Sequence, residues 1–209
     1  MTIVVKPDSY YERSYSDTET GRRYRRLVAG LGWPTGMRPG FALVLAEIYE
    51  PDYTKAGKPR HIYLLDEIES GKMEELTRLT TAMLKEHHDP VLCTDDADPL
   101  YFQSQRNPSC TPLYGRLPVR TDILTMGFVK QLVTNRGQFE TLHFPEGAKI
   151  GGRLLEIQDP DLPLKDYPAV FALGCALCEL EINNPGEPDD FEEEPDASGP
   201  SGRSEIGGC

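Results

Sequence analysis

Residues 25–47 read RRLVAGLGWPTGMRPGFALVLAE, and this stretch decides the predicted fold. Apolar residues dominate 24–31 and again 41–49, which is typical of two buried β-strands. The glycines and prolines between them predict a tight connection, so we expect an antiparallel pair. At the end of the first strand we would expect a polar side chain that takes part in catalysis, but the chain has Gly32 there.

The rest of the chain predicts further strands that alternate with helices. The run HIYLLDEI at 61–68 predicts a third strand, which completes an antiparallel meander. The remaining predicted elements are a helix over 72–87, a buried strand over 90–94, a helix over 120–135, a strand over 138–143, a loop or short hairpin over 145–165 and a helix over 167–182. This order, β-β-β-α-β-α-β-α, predicts an α/β protein with a mixed sheet, in which helical crossovers add parallel strands to the meander. That architecture is the ribonuclease H-like fold.

Composition divides the 209 residues into three parts. We predict an extended N-terminal arm over residues 1–21 and the α/β domain over residues 22–183. Residues 184–209 are predicted to form an acidic, disordered tail. Eight acids and one arginine give the tail a charge of −7, which leaves −5 of the total −12 for the rest. No apolar run approaches the ~18 residues of a membrane span, and no signal peptide is recognisable. We therefore expect a cytoplasmic protein with reduced thiols.

Four stretches resemble the nuclease domain of the large terminase subunit of tailed phages. They are AGLGWPTGMRPGFALVLAE at 29–47, IYLLDEIES at 62–70, TDDADPLYFQSQR at 94–106 and LKDYPAVFALGCAL at 164–177. Each stretch alone is weakly specific, whereas their order and spacing together are more specific. The resemblance spans about residues 26–180. It implies a ribonuclease H-like nuclease that cuts DNA with Mg²⁺ or Mn²⁺ held by carboxylates.

Carried over position by position, the resemblance implies that Asp95 and Asp166 are the catalytic and metal-binding carboxylates. Asp96 and Asp98 lie close enough to Asp95 for the register to shift onto them. The bridging aspartate of the first strand falls on Gly32, which offers no ligand, so two carboxylates remain where the family has three. Glu47, on the neighbouring strand, is a conceivable substitute.

Each of these residues also has a structural interpretation. Asp95 and Asp96 suit a turn at a strand end, and Asp166 suits the cap of the last helix. The arginines at 22, 23, 25 and 26 suit either contacts with phosphates or a charged strand edge that resists aggregation. The acidic tail suits solubility, which we prefer, or mimicry of nucleic-acid charge.

The sequence therefore predicts a terminase-nuclease-like protein of viral DNA packaging whose metal-dependent cleavage is weakened or lost. Double-stranded DNA is its expected partner, together with a separate packaging ATPase or portal, since the sequence contains no GxxxxGK[ST] phosphate loop. The alternative is a non-catalytic phage or prophage adaptor, for DNA binding or assembly, that keeps only the fold.

Overall fold

The computed structural model describes residues 3–7, 14–48, 60–94, 125–138, 140–157 and 163–182. Its strands are β1 (Val5–Pro7), β2 (Tyr15–Asp17), β3 (Arg23–Gly32), β4 (Gly40–Ile48), β5 (Ile62–Ser70), β6 (Val91–Cys93) and β7 (Leu142–His143). Its helices are α1 (Met73–Glu86), α2 (Met126–Gln138), α3 (Lys149–Leu155) and α4 (Pro168–Ile182), with a 3₁₀ turn at Leu164–Asp166 before α4.

The seven strands form one mixed sheet, as the sequence predicts. β3, β4 and β5 are the antiparallel meander, β6 runs parallel to β3, and β7 runs parallel to β5 at the opposite edge. Because a parallel connection needs a crossover, α1 lies between β5 and β6, and α2 lies between β6 and β7. The predicted α/β class, a mixed sheet covered by helices, is confirmed.

Helices cover both faces of the sheet, and each face has its own apolar core. Leu76 and Met83 of α1 pack on one face with Leu27, Leu31 and Val44. On the other face lies α4, in which every side chain from 168 to 180 is buried. Such a helix is apolar on all sides, because the sheet covers one side and α2 and α3 cover the other.

Three local predictions differ from the structure. Residues 149–155 form helix α3 rather than part of a hairpin, because the Glu67 carboxylate accepts hydrogen bonds from the backbone N–H groups of Lys149 and Ile150 and caps the helix. The fifth strand begins at Leu142 rather than at Gln138, since α2 extends through Gln138. Within 1–21, β1 and β2 pair with each other, and β2 pairs with the start of β3. The arm is thus partly built into the sheet. Residues 120–124 and 184–209 lie outside the described residues.

Candidate functional site

The ends of two parallel strands meet the start of α4 at one edge of the sheet. Thr94, directly after β6, is buried, and its hydroxyl donates a 2.9 Å hydrogen bond to the carbonyl oxygen of Leu31 in β3. This bond holds the carboxyl end of β6 beside the last residues of β3. Asp95 is the next residue in the chain, and it lies outside the described residues together with Asp96 and Asp98.

Gly32, the last residue of β3, lies directly beneath the first turn of α4. A Cβ atom at this position would be 2.7 Å from both the Cα and the carbonyl carbon of Pro168, and closer still to the carbonyl oxygen. Gly30 meets Ala172, one turn further along the helix, in the same way, with 2.7 Å to the carbonyl carbon. The two glycines therefore let strand and helix approach backbone to backbone. Position 32 therefore has no room for a side chain while α4 keeps this place.

Asp166 is exposed at the end of the 3₁₀ turn that precedes α4. Its backbone carbonyl accepts a 3.3 Å hydrogen bond from Nη1 of Arg38, whose guanidinium carbon lies 3.9 Å from the centre of the Tyr167 ring. The first bond of the helix runs from the N–H of Phe171 to the carbonyl of Tyr167, so Tyr167 rather than Asp166 stands at the N-cap position.

The described residues do not form a divalent-metal site of the expected kind. They contain no group of three His, Cys, Asp or Glu side chains able to hold a metal ion. Gly32 supplies no ligand. The backbone carbonyl of Asp166 accepts a hydrogen bond from the Arg38 guanidinium, whose positive charge repels a metal cation nearby. Two hard cations need several carboxylate oxygens, and Asp166 alone does not provide them.

A small open groove lies beside the start of α4. One wall of the groove carries the charged side chains of Glu69, Arg153 and Glu156. Arg153 donates hydrogen bonds to both glutamates. The opposite wall consists of Arg38 and the first turn of α4, residues 167–170, with Pro39. Sequence reasoning missed this groove, because it forms from residues more than 100 positions apart.

Glu47 lies at the other end of the sheet from Gly32. It pairs with Arg26 in the register of β3 and β4, whereas Gly32 pairs with Phe41, about 20 Å away. Its buried carboxylate accepts two 2.8 Å hydrogen bonds from Arg25, and Arg60 lies 3.5 Å away. The substitution of Glu47 for a carboxylate at position 32 is therefore wrong.

Two of the clustered arginines have structural roles. Arg25 pairs with Glu47, and Nη2 of Arg26 donates a 3.3 Å hydrogen bond to the carbonyl of Glu179 near the end of α4. Burial lowers the pKa of the Arg26 guanidinium, although Glu47 and Glu179 oppose this effect. A cation at the carboxyl end of a helix also meets the negative pole of its dipole. Arg23, by contrast, is exposed.

A histidine pair joins β5 and β7 at the same end of the sheet. Nδ1 of His61 and Nε2 of His143 are 2.7 Å apart, so one ring donates a proton to the other. Burial lowers the pKa of His143, and His61 and Arg22 lower it further, whereas Glu140 acts in the opposite direction. Tyr63 stacks on the His143 ring at 4.3 Å. The arrangement favours the uncharged form of His143.

Comparison with known proteins gives one structural likeness. No family model matches the chain, and no curated protein matches it. The fold is similar to that of the large terminase nuclease from thermophilic phage G20c, with 12% identity and a TM-score of 0.45 over 83% of this chain and 92% of that chain. At this level the chemistry has to be argued from the residues of this chain. No helix in the described segments is long and apolar enough to cross a bilayer.

Proposed function

We propose that this chain is a terminase-nuclease-like protein of viral DNA packaging that binds double-stranded DNA and has weakened or lost metal-dependent cleavage. The observation that carries the proposal is the close approach of Gly32 to Pro168, which leaves no room for a carboxylate on the first core strand. A two-metal nuclease needs its metals to activate water and to stabilise the leaving oxygen, so the loss of one ligand position weakens both functions.

Three further features support the proposal. The four stretches that resemble the terminase nuclease domain occur in the family's order. The described strands form a mixed sheet around an antiparallel meander, as the sequence predicts. Thr94, the last described residue before Asp95, donates a hydrogen bond to Leu31 at the end of β3. Asp95 and Asp166 are the proposed remaining carboxylates, with Mg²⁺ or Mn²⁺ as the metal.

The proposed setting is the cytoplasm of a phage-infected host. There its proposed partners are double-stranded DNA and a separate packaging ATPase or the portal. The fold alone does not distinguish this role from that of an adaptor.

The test measures nicking and retardation of supercoiled plasmid with Mg²⁺ or Mn²⁺. We compare the native protein, Asp95→Asn, and Glu74→Gln as a control that removes an exposed carboxylate on α1. The proposal expects the native protein to retard the plasmid with little or no nicking. Efficient nicking that Asp95→Asn abolishes and Glu74→Gln preserves would contradict the loss of cleavage. Absence of any DNA binding would favour the adaptor.

A further inference from the structure

The connection between β3 and β4 holds Arg38 in a fixed position. The backbone N–H of Arg38 donates a 3.1 Å hydrogen bond to the hydroxyl of Thr35, and the N–H of Thr35 donates a 3.0 Å bond to the carbonyl of Arg38. The side chain is held by the Tyr167 ring and by the carbonyl of Asp166. Both the backbone and the guanidinium are therefore positioned before any ligand arrives, which reduces the entropy lost on binding.

The charge of Arg38 is not neutralised by another described residue. Arg25 and Arg153 form ion pairs with glutamates, whereas the described contacts of Arg38 are an aromatic ring and a carbonyl oxygen. The carbonyl uses one of the five N–H donors of the guanidinium. The remaining donors and the full positive charge stay available at the rim of the groove.

The Arg38 side of the groove suits an anion that presents two oxygens to the guanidinium, and Glu69 and Glu156 on the other wall are hydrogen-bonded to Arg153. A guanidinium matches a phosphate with two parallel hydrogen bonds, and this geometry is stronger than a point-charge contact. The first turn of α4 lines the same groove and adds the positive end of a 15-residue helix dipole to the field of Arg38. Binding of a phosphate therefore depends mainly on Arg38, and the dipole of α4 strengthens it.

We infer that Arg38 binds a backbone phosphate of double-stranded DNA in this groove, and that it does so without a metal ion. The inference rests on the proposed function, since it assigns the DNA contact to a particular side chain. The guanidinium beside Asp166 supplies the positive charge for this contact.

The experiment measures binding of a short fluorescent duplex by anisotropy over a series of salt concentrations, with EDTA or with Mg²⁺. Arg38→Gln removes the charge and keeps a donor for the carbonyl of Asp166, and Arg38→Lys keeps the charge. Arg78→Gln is the matched control, because Arg78 is exposed on α1 at the opposite face of the sheet. Thermal unfolding of each variant confirms that it is folded.

One phosphate contact contributes about 0.9 to the slope of log K against log salt on B-DNA. We expect Arg38→Gln to lower the slope by about 1 for every duplex sequence, whereas Arg38→Lys and Arg78→Gln keep the native slope and EDTA has no effect. An unchanged slope in Arg38→Gln, with native binding intact, would overturn the inference and leave the proposed function standing. Binding that EDTA abolishes would overturn the metal-free contact. A native protein that binds no duplex at low salt overturns the proposed function and this inference together.

Discussion

Replacing Gly32 with aspartate tests the close approach of β3 and α4 directly. Ordinary van der Waals contact begins at 3.4 Å, and the new Cβ would lie 2.7 Å from two backbone carbons of Pro168. The helix must therefore withdraw by about 0.7 Å, and further for the carbonyl oxygen. Backbone atoms cannot rotate away as a flexible side chain can, so the strain spreads along the buried helix.

The expected loss of stability follows from two contributions. Overpacking of a well-packed core costs about 1–3 kcal/mol, and the backbone clash places Gly32→Asp at the upper end. The new carboxylate also enters a buried position, where an unpaired charge adds a further cost. We expect a total of about 3 kcal/mol or more, which is a large part of the ~5–15 kcal/mol of a typical domain.

Urea unfolding followed by far-ultraviolet circular dichroism measures this loss. Gly36→Asp is the matched control, because Gly36 lies in the same connection, is exposed, and offers open space for a Cβ, with no atom within 4 Å of it. Gly30→Ala, against Ala172, should lose stability as Gly32→Asp does. If Gly32→Asp unfolds at the same urea concentration as Gly36→Asp, α4 does not lie against Gly32 and the reasoning fails. For the same reason we do not expect Gly32→Asp to restore cleavage.

Three other perturbations test the rest of the fold. Glu47→Gln should cost about 2–3 kcal/mol in urea unfolding, because it removes the buried negative charge that pairs with Arg25. Glu67→Gln should cost about 1 kcal/mol, because it weakens the cap of α3. The lowered pKa of His143 means that the unfolded chain binds a proton first, so stability should fall as the pH falls below about 6.5 and then level off below the folded pKa. His143→Gln should flatten that dependence.

Each of these has a control in the same chain. Glu74→Gln removes an exposed carboxylate, so a loss equal to that of Glu47→Gln or Glu67→Gln would count against the specific contacts. For the histidine pair, a native protein whose unfolding free energy stays constant between about pH 7.5 and 5.5 would contradict the lowered pKa.

Local sequence patterns predict the elements of the sheet because the patterns are strong. The apolar run of β4 and the helical spacing of α1 are readable without knowledge of their partners. Helix α3 was not predicted, since its cap is a glutamate 82 residues earlier in the chain. No local pattern carries that contact, and the two glycines within KIGGRLL argue against a helix.

The candidate site was harder to predict than the fold for a related reason. A glycine at a strand end fits both a lost catalytic side chain and a close approach to a helix, and only the position of Pro168 separates the two. The resemblance directed attention to missing acids, while the arginine at 25, which pairs with Glu47, and the unneutralised arginine at 38 look alike in sequence. Ion pairing is a property of the folded chain.

The connection after β3 thus presents a cation at the end of the sheet where the resemblance implies metal-binding acids. Gly32 admits the helix, the helix brings Tyr167 and the carbonyl of Asp166 beneath Arg38, and these contacts fix the guanidinium. A carboxylate at position 32 and the present placement of α4 exclude each other on steric grounds. The same packing that leaves no room for a carboxylate at position 32 also positions the arginine, so the proposed loss of cleavage and the proposed metal-free phosphate binding both follow from one strand–helix contact.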